Sequence, residues 1–187
     1  MITRKEFLSK CAAASTTGLF CCMGHFQVPA NEPASCDPEE LKRVKGRADA
    51  ARDRFAALLR EMNCSLPESQ RKQLLHGLGN WCASEYRASL IDRYKGNIQG
   101  FIEEARRSWM TEAQYDEAKG LVHIVGKWPT CACPLVKDCE TPASFCDCTL
   151  GWQETVYSAI LGRPVKGEIK ESILRGDKRC VFEVRIV

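Results

Sequence analysis

Five of the twelve cysteines in this chain fall between residues 131 and 148, and this cluster constrains the fold more than any other feature of the sequence. The five residues are Cys131, Cys133, Cys139, Cys146 and Cys148. Thiols that are this close in sequence usually act together, as metal ligands, as a disulfide or as a redox pair. The sequence therefore predicts a site in this loop, without specifying its chemistry.

The rest of the composition is that of an ordinary globular protein. Hydrophobic residues make up 44% of the 187 residues and charged residues 27%, which suits one domain with a short appendage. The net charge of +3 gives no reason to expect a nucleic-acid partner. No apolar run approaches the roughly 20 residues of a membrane-spanning helix. We expect a single domain over residues 37–187, preceded by a polar linker at residues 31–36.

Residues 1–30 have the layout of an export signal. A basic start is followed by a mildly apolar run and by a small-residue exit at Val28-Pro29-Ala30. The segment Thr-Arg-Lys-Glu-Phe-Leu resembles the twin-arginine export motif, with Lys5 in place of the second arginine. The alternative is an N-terminal helix that stays in the cytosol. The predicted location is therefore the periplasm or cell surface if the signal is cleaved, and the cytoplasm otherwise.

The N-terminal half of the domain is predicted to be helical. Asp37 and Pro38 supply the start signals of a helix. Apolar residues then recur at three- and four-residue steps as one stripe, which comprises Leu41, Val44, Ala48, Ala51, Phe55, Leu58 and Met62. A shorter helix is expected to reach Leu75 and to end at Gly77 and Gly79. Two further helices are expected over residues 80–94 and 97–109, with a hinge at Gly96.

The C-terminal half is predicted to form strands around one helix. Residues 120–126 are a β-rich run bounded by glycines, and a helix after the cysteine loop closes at Gly162. Residues 165–174 and 180–187 read as two strands of a hairpin, with Cys180 facing the core. The expected class is α+β: N-terminal helices packed on a small antiparallel sheet with an inserted helix and a C-terminal β-hairpin.

Several short motifs in the second half resemble a known superfamily. They are a Cys-x-Cys-Pro loop, Cys-Asp-Cys before Gly-Trp, Pro-Val-Lys-x-Glu and the closing Gly-Asp-x-x-Cys-x-Phe. Together they are similar to the 4-vinyl reductase domain and to the related L-2-amino-thiazoline-4-carboxylate hydrolases, over about residues 60–187. The resemblance implies an α/β domain that encloses a small-molecule pocket and, in several members, binds zinc through cysteines. The corresponding positions here are Cys180 and either Cys146 or Cys148, and a third family cysteine is replaced by Ser172.

The residues themselves leave several uses of the thiols open. Soft thiolates suit Zn²⁺ or an iron–sulfur cluster, and the candidate ligands are Cys131, Cys133, Cys139, Cys146, Cys148 and Cys180. Disulfides, a redox relay and independently buried thiols are the alternatives. His123 is a weaker candidate ligand, because its apolar strand neighbours favour a histidine of the core or the sheet edge.

Two functions of different classes follow from these patterns. The first is a metal-binding domain, stabilised by zinc, that holds a small apolar or ring-containing ligand. The second is a metal-dependent hydrolase of a small C–N ring or amide, in which Asp147, Glu154, Glu168 or Glu171 would act as general base. The expected partner is a small molecule rather than nucleic acid, and a homodimer is compatible with the sequence. A closed four-cysteine site would favour the binding domain over the enzyme.

Overall fold

The computed structural model describes residues 37–137 and 140–187 of the chain. The helices are α1 (Pro38–Ser65), α2 (Glu68–Tyr94), α3 (Ile98–Ser108) and α4 (Cys146–Leu161), and the strands are β1 (Met110–Asp116), β2 (Leu121–Gly126), β3 (Val165–Glu171) and β4 (Val181–Ile186). The predicted α+β class is confirmed, with helices before an antiparallel sheet, an inserted helix and a C-terminal strand pair. The predicted export signal and linker lie outside the described residues, as does Cys139.

Helix α1 begins at Pro38, as its start signals predict, but only part of the predicted apolar stripe is covered. Leu41, Val44 and Leu58 are 61%, 50% and 55% exposed, whereas Phe55 and Met62 pack against an apolar cluster formed with other elements. Ala56 and Leu59, which lie outside the predicted stripe, are its buried residues. Within the described residues, no helix combines the length and apolar character that crossing a membrane requires.

Helix α2 runs without a break through both glycines that the sequence analysis interpreted as a stop, so that prediction is wrong. Gly79 has a structural role within the helix, because it allows a second helix, α4, to approach closely. A Cβ atom on Gly79 would overlap the carbonyl oxygen of Cys148 in α4, and one on Gly151 of α4 would overlap the carbonyl oxygen of His76. The backbones of α2 and α4 are therefore in direct contact at this crossing.

The hinge between α2 and α3 lies where the sequence predicts it. Gly96 has a φ of +75°, a conformation that favours glycine. Asn97 then caps α3, because its side-chain oxygen accepts a hydrogen bond of 2.9 Å from the backbone N–H of Gly100.

The sheet has the order β1-β2-β4-β3, and every neighbouring pair is antiparallel. Strand β1 was not predicted; its sequence, Met-Thr-Glu-Ala-Gln-Tyr-Asp, has few of the β-branched residues that mark strands. The C-terminal pair is shorter than predicted. Strand β3 ends at Glu171, and a 3₁₀ turn (Ile173–Arg175) leads to Gly176, whose φ is +95°.

Two apolar clusters hold these elements together. The larger one joins α3 and α4 to the sheet and has Phe101, Tyr157, Ile160, Val122 and Val184 at its centre, each at most 1% exposed. The smaller one joins the end of α1 to α2 and to the start of α4, through Leu59, Leu75, Phe145 and Cys148. The predicted cysteine site lies where the first turn of α4 meets both clusters.

Candidate functional site

The fold brings together the described cysteines that the sequence analysis singled out. Cys131 and Cys133 lie in the loop that follows β2, Cys146 and Cys148 lie in the first turn of α4, and Cys180 immediately precedes β4. All five are free thiols, as are Cys64 and Cys82. Cys180 is partly buried and packs against the larger core cluster, as its place in the strand pattern predicts.

Cys146 and Ser172 form a buried pair beside the cysteine loop. The Cys146 Sγ lies 3.0 Å from the Ser172 Oγ, and Ser172 is completely buried. Burial raises the pKa of the Cys146 thiol; the hydrogen bond from Ser172 opposes this increase, while Cys131 and Cys180 add to it. Ser172 is the position at which the superfamily resemblance expects a cysteine, and its side chain lies beside Cys146.

The thiols of Cys133 and Cys148 are in their neutral form at physiological pH. Burial, with smaller contributions from neighbouring cysteines, raises the pKa of Cys133 to about 11 and that of Cys148 to about 12. Metal ligation requires the thiolate, so binding at these residues would have to displace tightly held protons. Among the described residues, no group of three or more His, Cys, Asp or Glu side chains is placed to hold a metal ion. Zinc or iron–sulfur binding by the cysteines therefore stays a prediction.

A cavity of about 260 Å³ opens beside these thiols, between the sheet, α2, α4 and the loop after β2. Its lining is mainly aromatic, aliphatic and sulfur-bearing; these residues include Trp109, Met110, Ile124, Trp128, Cys131, Cys133, Cys148, Trp152, Cys180 and Phe182. For comparison, an engineered apolar cavity of about 150 Å³ binds benzene, and typical ligand pockets begin at about 300 Å³. The cavity therefore suits a molecule of one or two rings.

Two residues that line this cavity each carry a buried polar atom without a hydrogen-bond partner among the described residues. They are Trp109, through its indole Nε1, and Gln153, through its amide Oε1, and Gln153 is only 4% exposed. The phenolic oxygen of Tyr157, one turn further along α4, is also buried and unpartnered. Buried polar groups are normally hydrogen-bonded, so these side chains would gain from a polar group placed in the cavity next to them.

The sequence analysis missed Gln153, although a signal was present. Val156, Tyr157 and Ile160 form the buried stripe of α4, and Gln153 continues this stripe by one turn. A buried polar side chain in an otherwise apolar stripe either has a partner or marks a site.

Polar contacts with α1 hold the loop wall of the cavity. Arg52 donates to the carbonyl oxygen of Pro134 at 2.7 Å, and Arg60 donates to that of Glu140 at 3.1 Å. Lys137 forms an ion pair with Asp53. The C-terminal half of α1 therefore fixes the position of the cysteine loop.

A second, open groove of about 1140 Å³ lies beside β3, α2 and the first half of α4, and its lining includes the predicted carboxylates Asp147 and Glu168 and the residues His76, Lys166 and Gly167 that contact Glu154. Glu154 accepts hydrogen bonds from His76 Nε2 at 2.7 Å and from the Gly167 backbone N–H at 2.8 Å, and Lys166 Nζ lies 3.3 Å away. Burial would raise the pKa of Glu154, but the bonds from Gly167 and His76 and the charge of Lys166 outweigh it and lower that pKa. A histidine oriented by a carboxylate can act in proton transfer, and the sequence analysis had not identified His76.

The remaining catalytic candidates are dispersed. Asp147 and Glu168 line the open groove, whereas Glu171 pairs with Arg179 at 3.1 Å on the surface. His123 lies on β2 and faces Glu183 of β4, with 3.9 Å between Nδ1 and Oε1, and its side chain is 40% exposed. It is a sheet histidine, and the cavity lining does not include it.

Comparison with known proteins gives a family but no activity. The model of a family of unknown function, DUF6144, matches residues 79–187, which include the whole sheet and both sides of the cavity. No curated protein matches the chain in sequence.

The fold is similar to several solved structures at low sequence identity. Subunit 3 of the trafficking protein particle complex from Naegleria fowleri, covalently bound to palmitic acid, is 15% identical, with a TM-score of 0.49 and coverage of 76% of this chain and 96% of that one. The phenol-responsive sensory domain of the transcription activator PoxR, with phenol, is 14% identical, with a TM-score of 0.48 and coverage of 72% and 74%. A vinyl-4-reductase family protein from Methanocaldococcus jannaschii is 13% identical, with a TM-score of 0.35 and coverage of 83% and 85%.

Proposed function

Because the chain belongs to DUF6144, a family of unknown function, we propose its function from its own cavity: it is a small-molecule-binding domain. The observation that carries the proposal is the cavity itself, whose mainly apolar and aromatic lining includes two residues, Trp109 and Gln153, with an unpartnered donor and an unpartnered acceptor. Ligand sites have this composition, with many apolar contacts and a few polar groups that fix orientation.

The polar atoms favour a ligand with a neutral hydrogen-bonding group. Trp109 can only donate through its indole N–H, whereas Gln153 offers both an acceptor and a donor on one amide. The terminal torsion of Gln153 is soft, so its amide can turn towards a ligand in the cavity. An amide or hydroxyl on a small ring would satisfy both side chains and would offset a desolvation cost of about 1–3 kcal/mol for each unpaired group.

The thiols support a binding role for the cavity. Cys133 and Cys148 contribute neutral, polarisable walls, since burial raises the pKa values of both well above 7. A hydrolase of the kind considered above would need a carboxylate beside its reacting centre, and no acidic residue lines this cavity among the described residues. We therefore favour the binding domain over the hydrolase.

Calorimetric titration with 1-naphthamide tests the proposal, because this neutral two-ring amide matches the cavity in size and polarity. The variant Gly126→Leu should abolish binding. Its Cβ would make an ordinary contact of 3.6 Å with Cys180 Cβ, and the rest of the side chain would extend beside the cavity that both residues line. Gly46→Leu is the matched control, since a Cβ there meets nothing within 4 Å.

The titration distinguishes binding in the cavity from non-specific binding. Saturable binding by the wild type and by Gly46→Leu, with loss in a folded Gly126→Leu, would support the proposal. Equal binding by all three proteins, or no binding of 1-naphthamide or the smaller benzamide to the wild type, would refute it.

A further inference from the structure

The charged residues that line the cavity are both cationic. Arg87 of α2 and Lys127 of the loop after β2 are exposed, and the rest of the lining contains no charged side chain among the described residues. Because the two cations are exposed whereas Met110, Ile124 and Phe182 of the lining are buried, the cations lie at the open side of the cavity. The mouth therefore carries a local positive charge that no acidic lining residue neutralises.

Neither of these two cations has a carboxylate partner among the described residues. Within the described part of the chain, Arg87 has no ion pair, and Lys127 makes only a long hydrogen bond of 3.4 Å to the carbonyl oxygen of Arg107. Both are free to bind an anionic group that comes from outside the protein.

We propose that the ligand of this cavity is a small ring compound with a single anionic group, and that Arg87 and Lys127 bind this group at the mouth while the ring enters the apolar interior. The inference rests on the small-molecule-binding function proposed above and adds the charge and the orientation of the ligand. An anion cannot occupy the inner end, because burial of an unpaired charge in apolar surroundings is strongly unfavourable. At the mouth the anion keeps part of its hydration and gains two charge-assisted hydrogen bonds.

The test compares two ligands that share a neutral amide for the interior and differ in the anionic group, 4-carbamoyl-1-naphthoate and 1-naphthamide, in calorimetric titrations with the full chain. Each exposed charge pair contributes up to about fivefold in affinity. We expect wild-type protein to bind 4-carbamoyl-1-naphthoate about five- to twentyfold more tightly than 1-naphthamide, with a preference that decreases as salt is added. The double variant R87A/K127A should bind both compounds with similar affinity.

A second double variant controls for the overall charge. K42A/K45A also removes two positive charges, but from exposed positions on α1 that do not line the cavity, and it should keep the preference for 4-carbamoyl-1-naphthoate. Equal affinity of the wild type for the two compounds, or an unchanged preference in R87A/K127A, would overturn the assignment of the anion while leaving the binding function in place. Loss of binding of both compounds by the wild type would overturn both proposals.

Discussion

Replacement of Gly79 by alanine should destabilise the protein, although alanine is the better helix former. The substitution gains about 1 kcal/mol of helix propensity. The new Cβ, however, would overlap the Cys148 carbonyl oxygen and lie 2.7 Å from the Trp152 backbone nitrogen. Both neighbours are backbone atoms, so only a displacement of α4 relative to α2 can make room.

Gly77 provides the control within the same helix. A Cβ there meets no atom within 4 Å, so Gly77→Ala should keep the full propensity gain of about 1 kcal/mol. Overpacking costs about 1–3 kcal/mol, and contact between two backbones places Gly79→Ala at the upper end. The net effect is about 2 kcal/mol of destabilisation at Gly79, which is about 3 kcal/mol below the control.

Thermal and urea unfolding of the two variants measure this difference. For a chain of this length the Tm should fall by about 4–8 °C for Gly79→Ala and rise by about 2–4 °C for Gly77→Ala. Gly151→Ala, whose Cβ would overlap the His76 carbonyl oxygen from the other side, should behave like Gly79→Ala. If Gly79→Ala proves as stable as Gly77→Ala, the two helices do not touch through their backbones and the reasoning is wrong.

Three further predictions concern titratable groups. The folded-state pKa of Glu154 lies below its ordinary value of 4.5, so its stabilising contribution is present above that pH and is lost as pH falls through the folded-state pKa. The urea stability gap between the wild type and Glu154→Gln should therefore shrink between pH 7 and pH 3, and a constant gap would contradict the assignment. When the protein is treated with maleimide at pH 7, mass spectrometry should find that the exposed Cys64 is labelled quickly and that Cys133 and Cys148 are labelled only after unfolding. Rapid labelling of Cys133 and Cys148 would show that they are not buried as neutral thiols. Elemental analysis of anaerobically purified protein tests the zinc prediction. The variant Ser172→Cys places a thiol beside Cys146 and should bind more zinc than the wild type. Equal zinc contents of the two proteins would argue against a zinc site at Cys146.

The sequence predicts the element types better than their contacts. The helix after Pro38, the hinge at Gly96 and the helix end at Gly162 are set by local backbone preferences, which one segment of sequence contains in full. Gly77 and Gly79 were misinterpreted because a glycine in a helix looks the same whether it ends the helix or admits a neighbour. Only the position of α4 distinguishes the two cases.

The candidate site shows the same division between local and long-range information. The cysteine spacing points to residues of the cavity wall, and the structure places Ser172, the position of the third family cysteine, next to Cys146. The composition of the cavity could not be predicted, because Trp109, Gln153 and Arg87 come from three separate parts of the chain with no shared motif. Only part of the apolar stripe of α1 is covered for a related reason, since periodicity identifies an apolar face but not the element that covers it.

The strand order has a consequence for how the protein is made. Strand β4 lies between β2 and β3, yet it is synthesised after both. Phe182 faces Ile124 of β2 and Ile169 of β3 in the register of the sheet. A nascent chain that stops before Val181 can form the β1–β2 hairpin but leaves β3 without a strand to join, with the apolar faces of both exposed. The ribosome must therefore release nearly all of the described chain before the sheet, and the cavity wall that Cys180 and Phe182 complete, can form.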